Sequence, residues 1–309
     1  MQIGAQYQGD HRGPKAFARR VEATGFDSVW AGDHVGHLGD GIATLGCFAG
    51  ATEQITIGLN LLVLPWRPAA VVAKAMATIS LVAPGRVVAG FGVGGEFPAE
   101  FSATGADLHR RGAYSDDALE LIAKLWTGEP VTHSSPWAEL DGFRLEPVPV
   151  RPDVWIGGRS EAALRRAVRF GDGYVPYLVS PGQFAKRRRR LLELAAEAGR
   201  PMDGFRFGCL ASIIPAADVE VATEIGLRGL KLSGLTPEAV QGMYLLGDDD
   251  SILARMQEYA DAGVDHLIVG CMPGEDRELE AFYAACRRLL PVARALRARN
   301  GEAGSGAAG

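Results

Sequence analysis

The sequence is short of positive charge, of cysteine and of uninterrupted apolar runs. Thirty-two Lys and Arg against 37 Asp and Glu give a net charge of −5. A chain without a basic excess is poorly equipped to displace the counterions of a nucleic acid. Nucleic acid is therefore not an expected partner, and any anionic ligand must be held by local features. Cys47, Cys209, Cys271 and Cys286 lie far apart, with no CxxC and no zinc-like spacing. They read as thiols packed as small hydrophobes in the cytoplasm. No apolar run reaches the eighteen or so residues of a membrane span. A strand-like QIGAQY directly after Met1 leaves no signal core at the start. A membrane partner is not expected either.

What is there is an alternation. Residues 2–6, 28–31, 55–64, 86–92, 154–158, 173–179, 205–214 and 266–270 read as strands, several of them apolar on both faces. Helical patterns fall between them at 14–24, 44–53, 68–82, 115–126, 160–170 and 181–198, with two helical stretches in 215–263 and a last helix at 276–297. None of the strands has hairpin spacing. Eight strands alternating with helices predict a single (β/α)8 TIM barrel over residues 1–297. The rival, a doubly wound sheet, usually has fewer strands, and its GxGxxG after the first strand is missing. Residues 93–114 read as an irregular insertion after strand four and 130–152, with five prolines, as an excursion before strand five. The stretch 298–309 lacks apolar periodicity and reads as a disordered tail.

Active groups of such a barrel sit at the carboxyl ends of its strands. His34, after strand two, can hold or give a proton near neutrality. Asn60 lies within strand three and Arg67 follows it. The run Gly92, Val93, Gly94, Gly95 after strand four leaves room for a flat ligand or is simply a flexible loop. Glu96 is a candidate acid or base, or a solvated carboxylate. Gly157, Gly158, Arg159 and Ser160 after strand five admit two readings. One is a phosphate site on a helix N-terminus; the other is a tight turn with Ser160 as N-cap. Tyr174 to Tyr177 complete the rim. A metal on His34 and His37 is discounted because no third ligand is apparent, and the block Arg187–Arg190 reads as a solvated helix face.

Several of these segments together resemble the bacterial luciferase-like monooxygenase superfamily. They are EATGFDSVWAGDHV (22–35), the stretch from Ile55 to Gly95, LIAKLWTGEPV (121–131), VWIGGRSEAALRRAVRFGDGYVP (154–176) and AGVDHLIVG (262–270). The short N-terminus, the Asp-His pair and the GVDHL ending resemble the branch that depends on coenzyme F420. The resemblance implies a barrel that binds the deazaflavin at its carboxyl face, with His34 beside the ring. It implies the cofactor phosphate on Gly157, Gly158, Arg159 and Ser160, and a non-prolyl cis peptide at Asn60–Leu61 behind the ring.

The activity so implied is hydride transfer between the deazaflavin C5 and a small organic substrate. In it His34 relays a proton or stabilises the anionic ring, with Asp33 as its orienting partner. Relatives suggest a homodimer. Gly95 stands where sugar-phosphate dehydrogenases of the family carry glutamate, and Leu38 where they carry an aromatic, which argues against a sugar phosphate. The alternative cofactor is FMN, reduced by a partner reductase and used for oxygen insertion. A third reading is a cofactor-binding barrel without catalysis.

Overall fold

Strands that are apolar on both faces need cover on both, and a closed barrel ringed by helices supplies it. The computed structural model describes residues 1–9, 13–229, 235–271 and 276–297. Its barrel staves are β1 (Gln2–Tyr7), β2 (Ser28–Ala31), β3 (Thr56–Leu59), β4 (Val87–Gly92), β5 (Asp153–Ile156), β6 (Gly173–Tyr174), β7 (Arg206–Pro215) and β8 (His266–Cys271). All neighbours are parallel, β8 pairs with both β1 and β7, and β7 pairs with β6, so the ring closes. The (β/α)8 expectation holds.

The helices are α1 (Gly13–Thr24), α2 (Gly41–Ala51), α3 (Ala69–Val82), α4 (Pro98–Thr104), α5 (Arg111–Leu125), α6 (Glu161–Phe170), α7 (Pro181–Glu197), α8 (Val219–Gly229), α9 (Pro237–Met243), α10 (Asp249–Asp261) and α11 (Asp276–Ala295). Their buried faces and the outer faces of the strands form one continuous apolar layer. Among the described residues no helix is long and apolar enough to cross a membrane.

The lower half of the barrel interior is filled by two indoles. Trp30 and Trp155 lie 5.1 Å apart, and the His266 ring stands edge-on to both. Glycines on neighbouring strands make the room: a Cβ on Gly58 would come within 2.4 Å of the Trp30 ring, and one on Gly208 within 2.6 Å of Trp155. Ser28 Oγ is 2.6 Å from His266 Nε2 and accepts the Trp30 Nε1–H at 2.6 Å. Burial, the charge of Arg206 and the chain's terminal amine push the His266 pKa down to about 3, so this imidazole is neutral.

Three expectations change, and a fourth gains detail. Residues 93–114 are not irregular throughout: α4 and the start of α5 lie in them. Pro98 opens α4 and Gly105, at φ +72°, closes it, but seven residues are too few to show a helical period. The 130–152 excursion contains a hairpin, Val131–Ser134 with Glu139–Phe143, whose His133 and Ser135 both bond to Asp117 of α5. The stretch 215–263 holds three helices and a short strand, Leu245–Gly247, around a small core of their own that includes Val240, Tyr244 and Leu246.

The arginine block is a solvated face only in part: Arg189 is exposed and Arg190 stays at the surface, whereas Arg187 and Arg188 are half-buried. Arg188 lies over the Phe207 ring, and Arg190 bonds to Glu161, Glu193 and Glu197. The expected tail, 298–309, lies outside the described residues.

Candidate active site

The end of β2 is fixed by Asp33. Its buried carboxylate accepts the Arg67 fork at 2.7 and 2.8 Å, the Gly41 N–H at 3.0 Å and the Val63 N–H at 3.1 Å. Arg67 also reaches Asp40 at 2.6 Å, and its carbonyl accepts the Tyr114 hydroxyl at 2.5 Å. One carboxylate thus ties the β2 end to the chain after β3 and to the start of α2. All four of its bonds lead away from His34. Asp33 does not orient the histidine; it anchors the turn from which the histidine rises.

The partner of His34 is Glu100, in the first turn of α4. Oε2 of Glu100 lies 3.1 Å from His34 Nδ1, while Oε1 accepts the N–H groups of Val35 and Gly36 at 3.0 and 2.9 Å. The GDHVGH segment therefore curls around a carboxylate that arrives from a distant part of the chain. Burial works to raise the Glu100 pKa, but the Gly36 N–H, His34 and the Val35 N–H outweigh it and hold the group ionised. Such a contact selects the tautomer with the proton on Nδ1 and leaves Nε2 as the acceptor. Among the described residues His34 Nε2 has no hydrogen-bond partner.

His37 is not an idle loop residue either. Its ring stacks on that of His34 with centroids 3.7 Å apart, and its Nδ1 lies 3.7 Å from Glu100 Oε1. Phe97 stands edge-on to both rings. His34, His37 and Glu100 bring three donor atoms within 4.8 Å of one another. The third group whose lack argued against a metal is thus present. Its oxygens, however, already serve two backbone N–H groups and His34, which makes the trio an acid–base cluster first.

After the neighbouring strand β3, the Asn60–Leu61 peptide is cis, as the resemblance implied. Leu61 fills much of the room provided by the rim glycines. A Cβ on Gly157 would fall 1.9 Å from Leu61 Cδ1, and one on Gly92 would fall 3.1 Å from it. Part of the space expected for a ligand therefore belongs to this side chain. Val93 and Gly94 follow β4; Gly94 is left-handed at φ +63°, with Val63 and Phe101 beneath it.

Glu96 forms an ion pair with Arg159 at 3.1 Å, joining the loops after β4 and β5. Both are about half exposed, so the expected acid–base group and the expected phosphate-binding charge are engaged with each other. Ser160 caps α6, its Oγ accepting the Ala163 N–H at 3.2 Å, and Gly158 turns the chain at φ +118°. The tight-turn reading is thus realised. It leaves the other first-turn N–H groups of α6 without partners inside the helix, so an anion can still be held there.

Glu100 and the His37 stack escaped the sequence reading. The signal for Glu100 was its place behind Pro98 at a helix start; nothing in the sequence paired it with a histidine 66 residues away.

Comparison with known proteins places this geometry in context. The F420-dependent glucose-6-phosphate dehydrogenase of Amycolatopsis mediterranei is 26% identical, over 96% of this chain and 99% of its own. An F420-dependent secondary alcohol dehydrogenase, solved with an F420-acetone adduct, superposes with a TM-score of 0.84 at 21% identity, covering 95% of this chain and 99% of its own. The oxygenating constituent of 3,6-diketocamphane monooxygenase from Pseudomonas putida, solved with FMN, superposes at 0.75 with 17% identity, covering 97% and 98%. The shared fold therefore does not choose between the cofactors. The luciferase-like monooxygenase profile matches residues 4–232, and the chain belongs to that family.

Proposed function

We propose that the protein is a coenzyme F420-dependent oxidoreductase that moves a hydride between the deazaflavin C5 and a small organic alcohol or carbonyl compound. The observation that carries this reading is the His34–Glu100 pair at the barrel mouth, with Nε2 of the histidine unpartnered among the described residues. The full-length relatives named as F420-dependent support the choice of cofactor. Bound, the deazaflavin supplies a two-electron acceptor or donor at a carbon that does not activate oxygen usefully.

The chain's residues do the rest. Glu100 holds the His34 ring in one tautomer, and Nε2 takes a proton from a substrate hydroxyl or, once protonated, returns it to a carbonyl oxygen. The Asn60–Leu61 turn and Leu61 give one apolar wall, and the left-handed Gly94 lets the backbone approach closely. The opening turn of α6 after Gly157, Gly158 and Ser160 would hold a phosphate, with Arg159 free to join once it leaves Glu96. Asp33 keeps the whole β2 turn in place through Arg67.

Titration of the pure protein with F420 and with FMN, followed by tryptophan quenching, tests the cofactor. Micromolar binding of F420 and none of FMN is expected. The reverse would make the chain an FMN-dependent monooxygenase that needs a reductase.

The reading extends to a homodimer in the cytoplasm. α2 carries no charged residue and α3 only Lys74. Of these neighbouring helices, α3 leaves Val71, Leu81 and Val82 exposed, and Cβ atoms on Gly46 and Gly50 of α2 would meet nothing within 4 Å. An exposed apolar surface with open glycine positions suits a second copy related by a two-fold axis. Sedimentation of the wild type against a Leu81→Glu variant tests it: a dimer that becomes a monomer is expected, and a monomeric wild type would contradict it. Free thiols at Cys47, Cys209 and Cys286 fit a reducing compartment.

A further inference from the structure

We propose that His37 is a second acid–base residue of this site: stacked on His34, it shares one proton with it over the Glu100 carboxylate and is the member through which that proton exchanges with solvent. The proposal deepens the oxidoreductase reading, and its catalytic meaning rests on it.

The geometry sets the two imidazoles against the two oxygens of one carboxylate. His34 Nδ1 faces Oε2 at 3.1 Å and His37 Nδ1 faces Oε1 at 3.7 Å, while the rings overlap with centroids 3.7 Å apart and planes 29° apart. Two imidazolium rings at that distance repel strongly. One imidazolium, one neutral imidazole and one carboxylate sum to zero. The cluster therefore has two comfortable states, with net charge −1 and 0, and the second proton is opposed.

Glu100 stays ionised in both states, because the Val35 and Gly36 N–H groups bond its Oε1. Among the described residues no other charged group faces the pair: Asp33 and Asp40 are turned to Arg67, and Glu96 is turned to Arg159. Phe97 covers an edge of both rings. Burial and the charge of His34 lower the His37 pKa, and Glu100 works to raise it, which is the behaviour of a coupled pair.

The division of labour follows from exposure. The His34 side chain is 25% exposed and that of His37 is 47% exposed. His34 is the inner member and His37 the outer one. The transfer between them moves one proton and no electrons. The Nε2–H bond of the His34 imidazolium breaks and an Nε2–H bond on neutral His37 forms, water carrying the proton between the stacked rings. Both Nδ1 atoms keep their protons towards Glu100, which is ionised before and after. The outer ring then gives the proton to water, and His34 is again able to accept.

The test uses the full chain with 15N-labelled histidine, titrated by NMR from pH 5 to 9. Removing the His34 charge in His34→Gln should raise the His37 midpoint by about one pH unit, and Glu100→Gln should lower it. In His37→Gln, exchange of the His34 N–H with solvent should slow about a hundredfold, the lower end of the range for assisted proton transfer, and added imidazole should restore it.

A His37 midpoint that ignores His34→Gln overturns the shared proton. Unchanged His34 exchange in His37→Gln overturns the outer role. These readouts need no cofactor: a protein that fails to bind F420 would refute the reading of the preceding section while the NMR outcomes still decide the pair.

Discussion

The two ends of the barrel each hold a histidine beside an aromatic ring, and they use it in opposite ways. At the lower end His266 is packed between Trp30 and Trp155, bonded to Ser28, and neutral. At the mouth His34 is partly exposed, faces an ionised carboxylate and, among the described residues, keeps Nε2 without a partner. The residue type is the same, and position along the strand decides its work. At the start of β8 an imidazole fills a core; past the end of β2 it meets solvent and ligand. Each end can be broken separately.

The largest effect is expected below. Trp30→Ala would empty space that no glycine neighbour can fill, costing about 3–5 kcal/mol of stability, read as a fall in the urea midpoint. Next comes the mouth: Glu100→Gln removes the charge that supports protonated His34, so kcat should fall about tenfold with the urea midpoint nearly unchanged. A large stability loss from Glu100→Gln, or none from Trp30→Ala, would erase the contrast between the two ends.

His266 gives a smaller effect with a defined sign. Its folded pKa of about 3 lies below the ordinary 6.5. Below pH 6.5 the unfolded chain binds a proton that the folded chain does not. Its stabilising contribution is therefore complete above that pH and is lost as pH falls towards 3. Between pH 6.5 and 5.5 the loss should be about 1 kcal/mol, and a His266→Gln variant should lack that slope. Equal slopes in the two proteins would show that His266 is not held neutral. The smallest effect belongs to the exposed Glu96–Arg159 pair. Glu96→Gln should leave stability within about 0.5 kcal/mol and tighten binding of inorganic phosphate a few-fold; weaker binding would show that Arg159 does not serve that site.

The lower end was the more legible in the sequence. Apolar runs and the alternation of strand and helix located the staves, because burial on both faces leaves a plain compositional trace. The cis peptide at Asn60–Leu61 came from resemblance, since no propensity marks it. The mouth was read only by halves. His34 stood out by following a strand directly, but the sequence offered Asp33 as its partner because the two are adjacent. The structure sends Asp33 to Arg67 and brings Glu100 from α4. Pairings across 66 residues leave no local signature, and a helix as short as α4 shows no period. The Leu61 side chain was equally hidden, because glycines record that something approaches and not what it is.

The central claim is that His34 performs chemistry and does not merely help to hold the cofactor. His34→Ala should be compared with the wild type for the dissociation constant of F420 and for the rate at which bound F420 is reduced by a panel of small alcohols. A loss of at least a hundredfold in rate, with the dissociation constant within about threefold, is the expected result. Equal loss of both, or of neither, would contradict it.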